Sequence, residues 1–330
     1  MTVPAEAVRT GTDRLIIDAD AKSYVPHPVH TGERDWPETN CYLDLWTEIL
    51  HALGHNPTPA FCCALSATHD GAQWVFLKPA PEDLRRLYGL EVTEENLWRG
   101  VLDTVETGPD RDLLFTVEVD SWWLPDTAAT DYRANHVKTT IVPTRVDRAG
   151  RTMTYVHNAG IHELSGEDFD GVFTLDPRSE WVLPPYVEQI RRVPADPADD
   201  LVLRIAREHL RRRPASNPVS GLADTVREAT GWLGSAGLEV FHKWAFATLR
   251  QCGATAEVAA DLSRHLDIAG ASGAAAAAPL FTEVSASAKA VQFKLARAAR
   301  GRKVDVDEAL ATMASSWSAA IDIVDNAVPA

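Results

Sequence analysis

Apolar residues recur along this chain in two rhythms. Between residues 41 and 53, Tyr42, Leu45, Trp46, Ile49, Leu50 and Leu53 fall three or four apart, which lines one stripe of a helix. Thr39 or Asn40 offers a side-chain oxygen to the unpaired N–H groups at its start, and Gly54 ends it. Leu113 to Val119 alternates instead, and residues 137–146 and 151–156 are rich in β-branched side chains, the pattern of strands. Residues 61–77 read as two more strands around the turn His69-Asp70-Gly71, and 82–88 and 94–106 read as helices. Residues 1 to about 35 form an irregular arm around a short apolar piece, Leu15 to Ile17.

Pro184, Pro185, Pro194 and Pro197 mark a linker, beyond which the rhythm changes. Long segments rich in Ala, Leu and Arg follow at 199–212, 219–233, 235–251, 254–269, 279–300 and 305–326, the pattern of a helical bundle. The expected class is α+β. A helix-plus-antiparallel-sheet domain occupies residues 1–190 and an all-α helical domain occupies 191–330.

Bulk properties narrow the function. The 330 residues are 45% hydrophobic and 24% charged, which suits a globular core. No stretch approaches the roughly 20 apolar residues of a membrane span, and the N-terminus lacks a signal pattern. The expectation is a cytoplasmic protein with no membrane partner. A net charge of -15 repels phosphate backbones, so nucleic acid is not an expected partner. Four cysteines, two of them the adjacent Cys62 and Cys63, fit neither a disulfide framework nor a zinc site. His157 and His162 lack metal-site spacing, and no Gly-rich phosphate loop supports an ATP-dependent ligase. No metal and no intrinsic cofactor are expected.

Basic residues nevertheless cluster: Arg191 and Arg192; Arg211, Arg212 and Arg213; and Arg297, Arg300, Arg302 and Lys303. They complement helix C-termini or dock an acidic partner.

The strongest candidate for chemistry is Cys41. A thiol in the first turn of a helix faces unpaired N–H groups and the positive end of the macrodipole, both of which favour the thiolate nucleophile. The alternative is a small buried core residue. A nucleophilic Cys needs a base and an orienter. His136 opens the strand that follows it, and Asn158 closes the next. A three-residue loop, Arg148 to Gly150 with Gly150 left-handed, pairs Asp147 with Arg151 and sets Asn158 opposite Thr140. His136 and Asn158 then share a sheet face, about 13 Å apart along the strand. A two-residue loop would bring His157 to that face as alternative orienter or base. Asp120, Trp122, Trp123, Asp126 and Tyr132 form a candidate substrate surface of acids beside aromatic rings.

The segments WPETNCYLDLWTEILHALG, GLEVTEENLWRG, EVDSWWLPDTAATDYRANHVKTTI and YVHNAGIHELSGEDFDGVF resemble a bacterial family long carried without an assigned function. They run from Trp36 to Phe173. That family is similar to the condensing enzymes of lincosamide antibiotic biosynthesis, in the celesticetin and lincomycin pathways. The resemblance implies an acyltransferase that joins a proline-type aminoacyl thioester to an amine such as a thio-octose sugar, through an amide bond. The acyl group would arrive on the phosphopantetheine of a peptidyl or acyl carrier protein, with Arg211, Arg212, Arg213, Arg300, Arg302 and Lys303 as docking points. The order of Cys, His and Asn also resembles papain-like cysteine peptidases, which implies Cys41 as nucleophile, His136 as base and Asn158 as orienter. Those peptidases place a Gln just before the nucleophile. None occurs here between Met1 and Cys41, so Glu38, Asn40 or backbone N–H groups would hold the oxyanion. A cysteine hydrolase with the same triad and a non-enzymatic binding protein are the alternatives.

Overall fold

The computed structural model describes residues 14–175, 184–195 and 198–330. Pro197 of the expected linker and residues 1–13 of the N-terminal arm lie outside them. Among the described residues six strands form one antiparallel sheet: β1 Leu90–Glu94, β2 Leu113–Asp120, β3 Lys138–Asp147, β4 Thr152–His157, β5 Gly160–Ser165 and β6 Val187–Arg192. Their spatial order is β1-β6-β2-β3-β4-β5. The helices of the first half are α1 Pro28–Thr31, α2 Cys41–Ala52, α3 Pro81–Tyr88, α4 Val101–Glu106 and α5 Glu167–Val172.

Period-two alternation gives the sheet two apolar faces. On one, Leu114, Val142, Val156 and Ile190 pack with Leu45, Trp46 and Ile49 of α2 and Leu84 of α3. On the other, Phe115, Val117, Ile141 and Tyr155 pack with Leu102 and Val105 of α4 and Phe169 of α5. The segment 61–77 is not a pair of strands. Residues Thr58–Ser66 form a 3-10 helix, and only an isolated bridge joins His69 to Trp74. Phe61, Cys62, Ala64 and Leu65 are buried there in the core of the helical half, a demand the local pattern does not carry. The helix expected over 94–106 is shortened to α4: Glu94 ends β1, which pairs with β6, and residues 95–100 are irregular.

The second half holds α6 Leu201–Arg212, α7 Pro218–Ala245, α8 Gln251–Ile268, α9 Ala278–Ala298 and α10 Asp307–Ala327. Its core is continuous with the first half: Trp36, Phe61 and Trp74 are buried in one cluster with Phe281 and Trp317. Trp36 lies so close to α8 that a Cβ at Gly253 would stand 2.3 Å from its Nε1. Only glycine fits that approach.

The hairpin β3–β4 carries the site. Asp147 pairs with Thr152, so the loop has four residues rather than three, and Arg151 rather than Gly150 takes the left-handed conformation. A bulge between Pro143 and Arg145 absorbs the extra residue. Val142 then pairs with Val156, the register expected from the shorter loop. Asn158 is not across from β3, however. With Ala159 it forms the tight turn into β5, at φ 44, a conformation Asn tolerates.

Candidate functional site

Cys41 is the first residue of α2. The Asn40 side chain accepts hydrogen bonds from the N–H groups of Tyr42 (3.1 Å) and Leu43 (2.9 Å), which fixes where the helix starts. Its amide donates to Leu77 O (3.0 Å) and to Oε1 of Gln251 in α8 (3.3 Å). The N–H groups of Asp35 and Trp36 donate to Glu257, also of α8. The helical half therefore holds the loop that presents the thiol. Behind it, buried His30 bridges Asp44 and Glu48, the latter also accepting from Tyr24. Burial alone would lower the His30 pKa, but bonds to the two carboxylates outweigh it and raise the value to about 9.

The Cys41 side chain lines a cavity of about 160 Å³ with Tyr42, Phe76, Lys78, Lys138, Thr140 and Glu188. Burial pushes the thiol pKa up, and Asp44 adds to the push. The Thr139 hydroxyl, the Lys138 charge and the Thr140 backbone oppose it without prevailing. The resting group is a thiol, not the thiolate expected from the helix start alone. Desolvation outweighs the dipole. β3 pairs with β4 only from Val142 onward, so Thr139 and Thr140, which pair with Val119 and Glu118 of β2, have no partner on β4, and both act on the Cys41 thiol.

His157, 1% exposed, ends β4 on the same sheet face as Ile141 and Thr139. Its Nδ1 lies 2.6 Å from Asp126 Oδ2, and its Nε2 lies 2.8 Å from Thr139 Oγ1. A carboxylate only accepts, so Nδ1 carries the proton and Nε2 is left as an acceptor for the Thr139 hydroxyl. The threonine oxygen keeps lone pairs for a donor on its other side. Burial would raise the Asp126 pKa, but the His157 hydrogen bond, the neighbouring His157 and His162 and the Tyr155 hydroxyl hold it below its ordinary value.

His136 is elsewhere. Its Nδ1 lies 2.6 Å from Asp120 Oδ2, and its ring stacks on Trp122 at 4.5 Å with the side chain 69% exposed. Among the described residues no hydrogen bond joins Cys41 to His136, His157 or Asn158. The expected trio Cys41, His136 and Asn158 is not assembled, because Asp120 and Trp122 hold the ring before β3 begins. His136 lines a separate cleft of about 710 Å³. The ion pair Lys138–Glu118 (2.8 Å) borders both this cleft and the cavity at Cys41.

The other expected residues divide. Asp126 is a partner of His157 rather than part of a substrate surface. Trp123 is covered by α5, where a Cβ at Gly171 would stand 2.0 Å from its ring. Tyr132 donates to Asp168 (3.0 Å). The Asn40 amide is committed to Leu77 and Gln251, and the Glu38 carboxylate faces Arg250 at 3.7 Å, so neither side chain is an oxyanion donor. Thr139 and Glu188 were not expected. The hairpin register could have shown Thr139, since Ile141 opposite His157 puts Thr139 on that face. Glu188 is buried and accepts from Tyr42 (2.8 Å), Thr116 (2.9 Å) and Tyr186 (3.2 Å), contacts between distant segments that no local pattern announces.

Of the basic clusters, Arg213 is tied to Asp325 (2.7 Å) and Arg212 reaches His209 (2.8 Å), while Arg211 is exposed. Arg300, Arg302 and Lys303 are exposed in the turn between α9 and α10. Among the described residues no group of three His, Cys, Asp or Glu side chains could hold a metal ion, and no helix is long and apolar enough to cross a membrane.

The fold and site define an α+β protein with a cysteine at a helix start and, on a β-hairpin, a buried histidine paired with Asp126. Residues 25–192 match the DUF1839 N-terminal domain and residues 197–326 the DUF1839 C-terminal domain. The chain belongs to the DUF1839 family. No curated protein matches it.

Proposed function

We propose that this protein is a cysteine-dependent acyltransferase that forms an amide, with Cys41 as nucleophile and His157 as base acting through Thr139. The carrying observation is the hydrogen-bonded chain Asp126–His157–Thr139, whose threonine hydroxyl acts on the Cys41 thiol, together with the cavity that Cys41 lines. The thiol proton passes to the Thr139 oxygen as the threonine proton passes to His157 Nε2, and Asp126 stabilises the imidazolium. The sulfur attacks a thioester carbonyl, the C–S bond to the donor thiol breaks, and that thiol leaves with a proton returned along the same path. An amine then attacks acyl-Cys41 and gives a proton through Thr139 to His157; the C–S bond breaks, and the sulfur takes that proton back as the amide forms. A thioester stores the free energy for this exchange, so no nucleotide is required.

Glu188 supports an aminoacyl donor or amine acceptor. It is a buried carboxylate met by three neutral hydroxyls on the wall that Cys41 shares, and a ligand ammonium would complete it. By the resemblance above, the donor is a proline-type thioester on a carrier protein and the acceptor an amino sugar of the lincosamide kind, with exposed Arg211 among the docking residues.

A second reading, a protein that binds a small ligand without covalent chemistry, is favoured by the upward push of burial on the thiol. Incubation with prolyl-pantetheine and a primary amine separates the two. The enzyme reading expects amide product in the wild type and its loss in Cys41→Ala. Equal product from both would refute covalent catalysis, and rapid thioester hydrolysis without amide would assign a hydrolase.

A further inference from the structure

A second hydroxyl, imidazole and carboxylate stand in line where the two halves of the chain meet. Ser66 Oγ, at the end of the 3-10 helix Thr58–Ser66, lies 2.7 Å from His209 Nδ1 of α6. His209 Nε2 lies 2.8 Å from Asp83 Oδ2 of α3. The His209 and Asp83 side chains are 4% and 3% exposed, whereas Ser66 is half-buried. Ser66 and His209 line a cavity of about 340 Å³ together with Thr68, Phe76, Lys78 and Arg212.

Hydrogen-bond capacity fixes the roles. The Asp83 carboxylate accepts only, so the ring proton sits on Nε2 and Nδ1 is the free acceptor. Ser66 has one proton to donate. The Cys63 carbonyl at 3.3 Å is the longer alternative to Nδ1 at 2.7 Å, so the hydroxyl donates to the imidazole. Arg212 Nη2 lies 2.8 Å from Nε2. A guanidinium has no lone pair to receive that proton, so the acceptor is Asp83.

We propose that Ser66, His209 and Asp83 form a second acyl-transfer site, serine-based and separate from Cys41, for small esters with an anionic group. Ser66 Oγ attacks the ester carbonyl as its proton moves to His209 Nδ1. The C–O bond to the alcohol breaks, and the alcohol leaves with that proton. Water then releases the acid by the same steps, returning Ser66 to its hydroxyl form. Lys78 and Arg212 on the cavity wall receive the anionic group. A purely structural staple between α3 and α6 would leave the hydroxyl unreactive.

The test uses the full-length Cys41→Ala protein, which removes the other nucleophile, and a fluorophosphonate probe read by intact mass and peptide mapping. The expected result is one adduct, on Ser66, absent in Cys41→Ala/Ser66→Ala and formed about 100-fold more slowly with Asp83→Asn added. Hydrolysis of p-nitrophenyl succinate should fall with Ser66→Ala, a substitution small enough to keep the fold, checked by circular dichroism. No adduct on the folded protein, or ester turnover unchanged by Ser66→Ala, would overturn the proposal. Neither result depends on whether Cys41 is acylated in the wild type.

Discussion

His157 Nε2 and Thr139 Oγ1 are 2.8 Å apart, on neighbouring strands of one hairpin, and the Thr139 hydroxyl is one of the groups that act on the Cys41 thiol. The hydroxyl is the relay proposed between the buried base and the buried thiol. Thr139→Val keeps the shape and removes the relay. Single-turnover acylation of Cys41 should slow about 100-fold or more, the scale of a lost general base, while Thr139→Ser retains most of the rate. Stopped-flow mass measurement of the acyl-enzyme checks both.

Asp126→Asn changes which ring nitrogen of His157 carries the proton. An amide can donate to Nδ1, which would move the proton to Nε2 and remove the acceptor for Thr139. Acylation should fall about 10³-fold, within the range of general acid–base effects, with little change in the concentration of thioester giving half-maximal rate. Rate against thioester concentration for the two proteins decides it.

His136→Gln should leave Cys41 acylation within about threefold of wild type, because Asp120 and Trp122 hold that ring outside the sulfur's contacts. A loss comparable to Asp126→Asn would return the base role to His136. The same single-turnover assay reads it.

Much of this site was legible in residues whose signals are local. Asn40 announced the start of α2 because its side chain serves the next two N–H groups. The helical segments of the second half follow their apolar spacing, except that 219–233 and 235–251 run together through α7, bent at Gly237, and on to the start of α8. The hairpin register at Val142 and Val156 was readable too, although two departures cancel: Arg151 lengthens the loop, and the bulge near Thr144 absorbs it. Asp126 was visible only as an acid near tryptophans. Its pairing with His157 depends on how the turn Pro125–Thr127 folds back over β4, a tertiary contact with no period. Val187–Arg192 read as linker because four of its six residues are charged or polar and prolines flank it, yet it is an interior strand whose Glu188 is kept by three hydroxyls.

Asn40→Ala should cost about 1 kcal/mol from the lost cap, and more where Gln251 and Leu77 lose a partner. Thermal unfolding measures the loss. The thiol should also be alkylated at an altered rate, since the helix start sets its position.

His30 links stability to pH. Its folded pKa of about 9 exceeds the unfolded value of 6.5, so its contribution is complete below about pH 6.5 and is lost as pH rises through 9. His30→Gln should therefore destabilise strongly at pH 6, by about 3 kcal/mol on the scale of a broken buried ion pair, and much less at pH 10. Urea unfolding at the two pH values checks the sign.

The most direct measurement is the pH dependence of Cys41 alkylation by iodoacetamide, followed by intact mass, in the wild type and in Thr139→Val. If the proton leaves through Thr139 to His157, the wild type gains reactivity well below the ordinary thiol range near roughly 8.5, and Thr139→Val loses that early rise. Two superimposable curves, both rising only above the ordinary thiol range, would contradict the relay and with it the assignment of Cys41 as a nucleophile.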